Sequence, residues 1–154
     1  MGNFATVKMI SEKLVFATNN QYKTQEVREI LAPRYHVVNL NDIGCDVDIP
    51  ETGSTFAENA ALKSHYVFKN YGLDCFGDDS GLEVEALNNE PGIYSARYSG
   101  QRGDAVNLHY LLEKMKGTKN RNARFKTVIS LVVEGENHFF EGVVNGKLRE
   151  EPIG

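Results

Sequence analysis

Cysteine is scarce in this sequence, and long apolar runs are absent. Two cysteines, Cys45 and Cys75, in 154 residues do not make a disulfide framework, and neither belongs to a CxxC pair, which fits a reducing, cytoplasmic setting. No stretch approaches the ~18 apolar residues that a membrane span requires, and the N-terminus lacks the charged-then-apolar order of a secretory signal. A soluble protein with no membrane partner is expected. A basic excess is missing too. Seventeen Lys and Arg against twenty-one Asp and Glu give a formal net charge of -4, which argues against a nucleic-acid binder held by phosphate neutralisation alone but leaves room for a local basic pocket. The chain has no internal repeat, no low-complexity segment and no GxxxxGK[ST] run, so a P-loop is excluded. His36, His65, His109 and His138 are scattered without ligand spacing, and neither cysteine sits in a nucleophile context.

What the chain does have is 41% hydrophobic residues, enough for a substantial core, and a length that reads as one domain. Residues 1–13 read as a leader ahead of a domain at 14–154. The opening Met1-Gly2-Asn3-Phe4-Ala5-Thr6 matches the loose N-myristoylation pattern. From Leu14 onward the elements alternate as in an α/β fold. Leu14–Ala17 suits a buried strand, and Gln21–Leu31 places Val27, Ile30 and Leu31 at helical spacing. Tyr35–Leu40 is a second strand, and 41–54 is a loop. Thr55 and Glu58 have capping-box spacing, which predicts a helix from Thr55 to about Asn70 with Gly72 as its stop. Leu73–Phe76 and Leu82–Ala86 read as separate strands on either side of an acidic pair, and 88–103 reads as a loop. Ala105–Met115 is a third helix. Ala123–Val133 and His138–Lys147, around Glu134-Gly135-Glu136-Asn137, form a hairpin.

Three polar segments carry the candidate chemistry. Thr18-Asn19-Asn20-Gln21-Tyr22-Lys23 joins the first strand to the first helix, where backbone amides and the helix dipole favour an anion. Lys23 in the first helical turn opposes that dipole unless an anion is present; the plain alternative is an N-capping Asn19 or Asn20 beside a solvated lysine. Lys63 lies seven residues after Phe56, three after Ala60 and four before Val67, at the edge of the inward stripe. It therefore wants an anionic partner that Asn59 could share, unless it is a lysine snorkelling at the core margin. Asp78 and Asp79, followed by Ser80 and Gly81, suit a magnesium and phosphate site in which Asp79, helped by Glu51, binds the metal and orients or deprotonates water. A capped turn is the alternative. Arg97, with Tyr94 and Tyr98, suits phosphate recognition and base stacking, although such loops are more often plain surface.

Taken together, the runs Phe16 to Lys23, Glu51 to Ala60, Lys63, and Asp78 through Pro91 to Gly100 resemble the inosine triphosphate pyrophosphatase family, which cleaves deaminated purine nucleoside triphosphates to the monophosphate and pyrophosphate. The resemblance implies an α/β fold with an elongated mixed sheet flanked by helices in two lobes around a central cleft, Mg2+ as cofactor, and a homodimer. It also implies site roles. Thr18, Asn19, Asn20, Gln21, Tyr22, Lys23 and Lys63 would hold the triphosphate. Asp79 would be general base and metal ligand, with Glu51 and Asp78 as further acids, and Ser80 would contact the nucleotide. Members of that family also carry an aromatic-Gly-Tyr-Asp loop and a Ser-His-Arg segment that contact the base. The sequence ends at Gly154 without either, so it is expected to be C-terminally incomplete relative to the family, holding the phosphate and metal half of the site. A binding module without turnover and a phosphohydrolase releasing orthophosphate are the other functions these residues allow.

Overall fold

Two apolar strands start the fold. The computed structural model describes residues 12–151, so most of the predicted leader and the Met1–Thr6 pattern lie outside the described residues. Glu12 and Lys13 instead open strand β1, Glu12–Phe16. Helix α1, Gln21–Leu31, and β2, Tyr35–Val38, follow, and β1 runs parallel to β2 in the register Leu14↔Val37 and Val15↔Val38. The next helix, α2, is Phe56–Tyr71, starting one residue after the predicted cap. It is closed by Gly72 at φ 64°, whose N–H donates to the Phe68 carbonyl; a left-handed residue ends a helix at little expense only when it has no Cβ.

The acidic pair is where the structure departs from the sequence reading. Residues expected to form two short strands on either side of the acidic pair form one strand, β3, Cys75–Val84, with Asp78, Asp79, Ser80 and Gly81 inside it. Local turn propensity for Asp-Asp-Ser-Gly loses here to tertiary packing. Glycine at 77 and 81 lets neighbouring backbone come close: a Cβ on Gly77 would sit 2.5 Å from the Ala60 carbonyl oxygen, and one on Gly81 would sit 2.3 Å from that of Gly92. β3 ends at Val84, and Glu85–Leu87 turns away as a 3-10 segment instead of extending the predicted strand.

The predicted 88–103 loop contains β4, Glu90–Pro91, antiparallel to β3, and a 3-10 turn, Gly92–Arg97. Helix α3 is Asp104–Lys114. The last hairpin is β5, Asn122–Val133, and β6, Glu136–Lys147, joined by Glu134 and Gly135 at φ 50° and 82°, the double positive φ of a two-residue hairpin turn. Strand order is β2-β1-β3-β5-β6, with β4 on β3, so this is a mixed six-stranded α/β fold.

The chain divides into two compact units. The first comprises the described residues through Gly53, Ala57–Asp78 and Ile129–Phe140. Its core has Val15, Ala17, Val38, Leu40, Cys45, Val67, Cys75 and Val132 in one cluster and Leu14, Phe16, Val37 and Phe76 in another. Ile30, expected on the inward stripe of α1, is 77% exposed, while Val27 and Leu31 pack on the second cluster. The second unit, Ser54–Phe56, Asp79–Val128 and Glu141 onward, is centred on Val84, Leu111 and Met115. Both cysteines are free and buried. Burial pushes the Cys75 thiol up to about 12, which keeps it an inert thiol.

Candidate active site

The loop after β1 is fixed before it presents anything. Asn20 caps α1, its side-chain oxygen accepting the Lys23 N–H at 3.0 Å, and Thr18 Oγ1 accepts the Asn20 N–H at 3.1 Å. Thr24 donates to the Asn20 carbonyl at 2.8 Å, and the buried Asn39 amide backs Thr24 at 3.3 Å. Asn19, Gln21 and Tyr22 are exposed, with Tyr22 at 86%. Lys23 therefore starts from a rigid helix end, and it is not simply solvated: its Nζ donates to Asp78 Oδ2 at 3.0 Å.

Lys63 reaches the same carboxylate from α2. Its Nζ lies 3.3 Å from Glu51 Oε1 and 3.8 Å from Asp78 Oδ1, so Lys23, Asp78, Lys63 and Glu51 form a line of alternating charge within the first unit. The Lys63 and Asp78 side chains are only 13% and 12% exposed. A lysine this enclosed requires the anionic company that the helical spacing predicted. Asp78 Oδ1 is fully buried and accepts no hydrogen bond. A buried carboxylate oxygen left unmet is expensive, and here Lys63 Nζ stands 3.8 Å from it, beyond hydrogen-bond range.

Two glycines that the sequence reading passed over set this geometry. Gly77 allows β3 to lie against the turn of α2 that bears Lys63, since an added Cβ would also meet Lys63 Cβ at 3.0 Å and Ser64 N at 3.1 Å. The signal was available: an isolated glycine inside a strand pattern marks close backbone approach. Gly53 does the same for the loop carrying Glu51, its N–H donating to the buried Asn59 Oδ1 at 2.7 Å. In this structure Asn59 thus anchors the Glu51 loop.

Asp79, Ser80 and Arg97 belong to the second unit. Asp79 and Ser80 are half-buried, and the Ser80 N–H donates to Asp79 Oδ1 at 3.0 Å. Arg97 ends the 3-10 turn and is exposed.

The donor set fits a hard divalent cation. Among the described residues no three His, Cys, Asp or Glu side chains gather as a metal cage, but magnesium asks for less. One or two carboxylates suffice when water and phosphate oxygens complete the shell, and the unmet Asp78 oxygen has the chemistry such a ligand needs.

The Ham1 family model matches residues 14–154. A dITP/XTP pyrophosphatase of Flavobacterium johnsoniae is 48% identical over 143 residues, which make up 92% of this chain and 74% of the relative. One of Porphyromonas gingivalis is 49% identical over 142 residues, 91% of this chain and 73% of the relative. The solved structure of the Staphylococcus aureus Ham1 protein superposes with a TM-score of 0.86 at 43% identity, covering 93% of this chain and 75% of that one. A HAM1 protein from Coxiella burnetii gives 0.86 at 35% identity, covering 93% and 76%.

Proposed function

This chain belongs to the Ham1 family, and from that premise we propose that it is a nucleoside triphosphate pyrophosphohydrolase that converts deaminated purine nucleotides, dITP and XTP among them, to the monophosphate and pyrophosphate. The observation that carries the reading is the buried Asp78 carboxylate between Lys23 and Lys63, whose Oδ1 accepts no hydrogen bond. Phosphoanhydride hydrolysis needs little covalent chemistry from the protein. It needs charge on the phosphates neutralised and the attacking water aligned.

Lys23 and Lys63 supply the first requirement, with the start of α1 favouring phosphate oxygens through its amides and dipole. Thr18, Asn19, Asn20, Gln21 and Tyr22 form the edge of that cradle, and Ser80 and Arg97 complete the contacts to the nucleotide. Asp78 and Glu51, with Asp79, would hold Mg2+, which when bound polarises the phosphate oxygens and brings in water. Asp79 takes the proton of the attacking water. In keeping with the family resemblance, the working form is a homodimer in the cytoplasm.

The test is incubation with dITP and magnesium, with pyrophosphate and orthophosphate assayed separately and dATP in parallel. Pyrophosphate from dITP is the expected product, and Asp79→Asn should lower its release by about 10²- to 10⁴-fold. Orthophosphate would assign a different bond, and magnesium-linked binding without product would make this a binding module.

A further inference from the structure

Helix α3 has an anomaly in its buried stripe. The inward positions of the helix and its C-cap are 107, 111 and 115, four residues apart, and the last two are Leu111 and Met115 in the core of the second unit. The first is Asn107, 7% exposed. An apolar side chain would serve the packing better, because a buried amide is tolerated only when its hydrogen bonds are met.

The side-chain hydrogen bonds that Asn107 makes all go to one segment. Its Nδ2 donates to the Ala96 carbonyl at 2.8 Å, and its Oδ1 accepts the Ser99 N–H and the Ser99 hydroxyl, each at 2.9 Å. These partners bracket Arg97. The turn is also tied at its other end, where Ser95 Oγ accepts the Leu82 N–H at 2.9 Å and donates to the Gly92 carbonyl at 2.7 Å. Leu82 follows Asp79, Ser80 and Gly81 on β3. Arg97 therefore sits between one anchor on the strand that carries Asp79 and another on α3.

We infer that Asn107 is a positioning residue for Arg97, fixing the backbone on both sides of it so that the guanidinium is held ready for a phosphate oxygen; this rests on Arg97 being an anion-binding residue of the proposed site. Holding a flexible side chain's base rigid reduces the entropy lost when the anion binds. Asn107 itself touches no substrate. Its effect on binding therefore passes through Arg97.

A double-mutant cycle on tripolyphosphate affinity, measured by titration calorimetry, tests this. Arg97→Ala should weaken binding by about 10-fold or more, as expected for a lost charge-assisted hydrogen bond. Asn107→Leu, which removes all three bonds without adding charge, should weaken it by about 10-fold when Arg97 is present and by less than about 2-fold when Arg97 is Ala. Equal losses in both backgrounds, or no effect of Arg97→Ala, would overturn the proposal. Should Asn107→Leu fail to fold, Ser99→Ala removes the hydroxyl's bond to Asn107 along with its two bonds to the Gln101 backbone and must show the same dependence on Arg97. Pyrophosphate release from dITP is scored separately, so a chain without turnover counts against the proposed function while the affinity cycle still judges Asn107.

Discussion

Each unit of this chain holds a carboxylate beside lysine, and the two clusters are built on opposite plans. In the second unit Glu90 is 55% exposed and Lys114 39% exposed, 3.6 Å apart. The Tyr98 hydroxyl donates to Glu90 Oε1 at 2.7 Å, and the ammonium of Lys114 stands 5.0 Å and 5.7 Å over the Tyr98 and Tyr110 rings. Glu90 and Lys114 both have partners there and stay open to solvent. In the first unit Asp78 and Lys63 are nearly enclosed, yet one Asp78 oxygen accepts nothing. Buried ion pairs are poor stabilisers because desolvation offsets their attraction. A buried one left incomplete is better explained by a ligand that completes it. The exposed cluster ties a turn to a helix, whereas the buried one belongs to the site proposed for the chemistry.

Neutralising each carboxylate in turn breaks the comparison most directly. Asp78→Asn should lower pyrophosphate release by about 10²-fold or more, on the scale of removing one electrostatic contact to a transition state. Folding should change less than turnover, because Lys63 keeps Glu51 as its partner and the substitution takes a charge out of a nearly enclosed place. Parallel thermal melts and steady-state rates check this, and a large fall in Tm with turnover preserved would reverse the assignment of roles. Next in size is Gly77→Ala. The new methyl would meet backbone of α2 at 2.5 Å and 3.1 Å, and overpacking of this kind costs about 1–3 kcal/mol. It should also move Lys63 relative to Asp78, so KM for dITP should rise while the Glu90 cluster is untouched. An unchanged KM and Tm would show that β3 and α2 have slack that the contact distances deny.

How far the sequence could foresee this follows the range of the forces involved. Helical periodicity, the Gly72 stop and the hairpin turn are local, and the elements they predict are present. Lys63 was legible as an inward cation because Phe56, Ala60 and Val67 fix the face of α2. Its partners were less so, since the ion pairs to Glu51 and Asp78 depend on how a loop and a strand fold back on the helix. The single strand through Asp78 and Asp79 replaces the two strands expected on either side of the pair for the same reason. Nothing local to Asp-Asp-Ser-Gly says that Gly77 and Gly81 are pressed against other backbone. Asn107 was hidden in a different way: at helical spacing it reads as one polar residue in an amphipathic segment, and its meaning lies in the Ala96 and Ser99 groups it reaches.

The smallest effect is expected at Glu90, and its sign with pH is its signature. The Tyr98 hydroxyl, and after it the Lys114 ammonium, hold the Glu90 carboxyl below the ordinary carboxylate value. A carboxyl depressed on folding contributes stability above its unfolded value of roughly 4.3 and loses it as pH falls through the folded value. Lys114 is raised, first by its hydrogen bond with Tyr98, so its contribution is complete below the unfolded lysine value of about 10.4 and fades as pH rises through the folded one. Glu90→Gln should lower Tm by about 2 °C or less at neutral pH, as befits an exposed pair. That difference should close on acidification as the wild-type carboxyl takes up its proton, and turnover should stay at the wild-type level throughout. A gap that widens toward acid would mean that Glu90 is held up by burial instead of held down by Tyr98 and Lys114. A loss of turnover would join the two clusters functionally, against the division of roles drawn from their exposure.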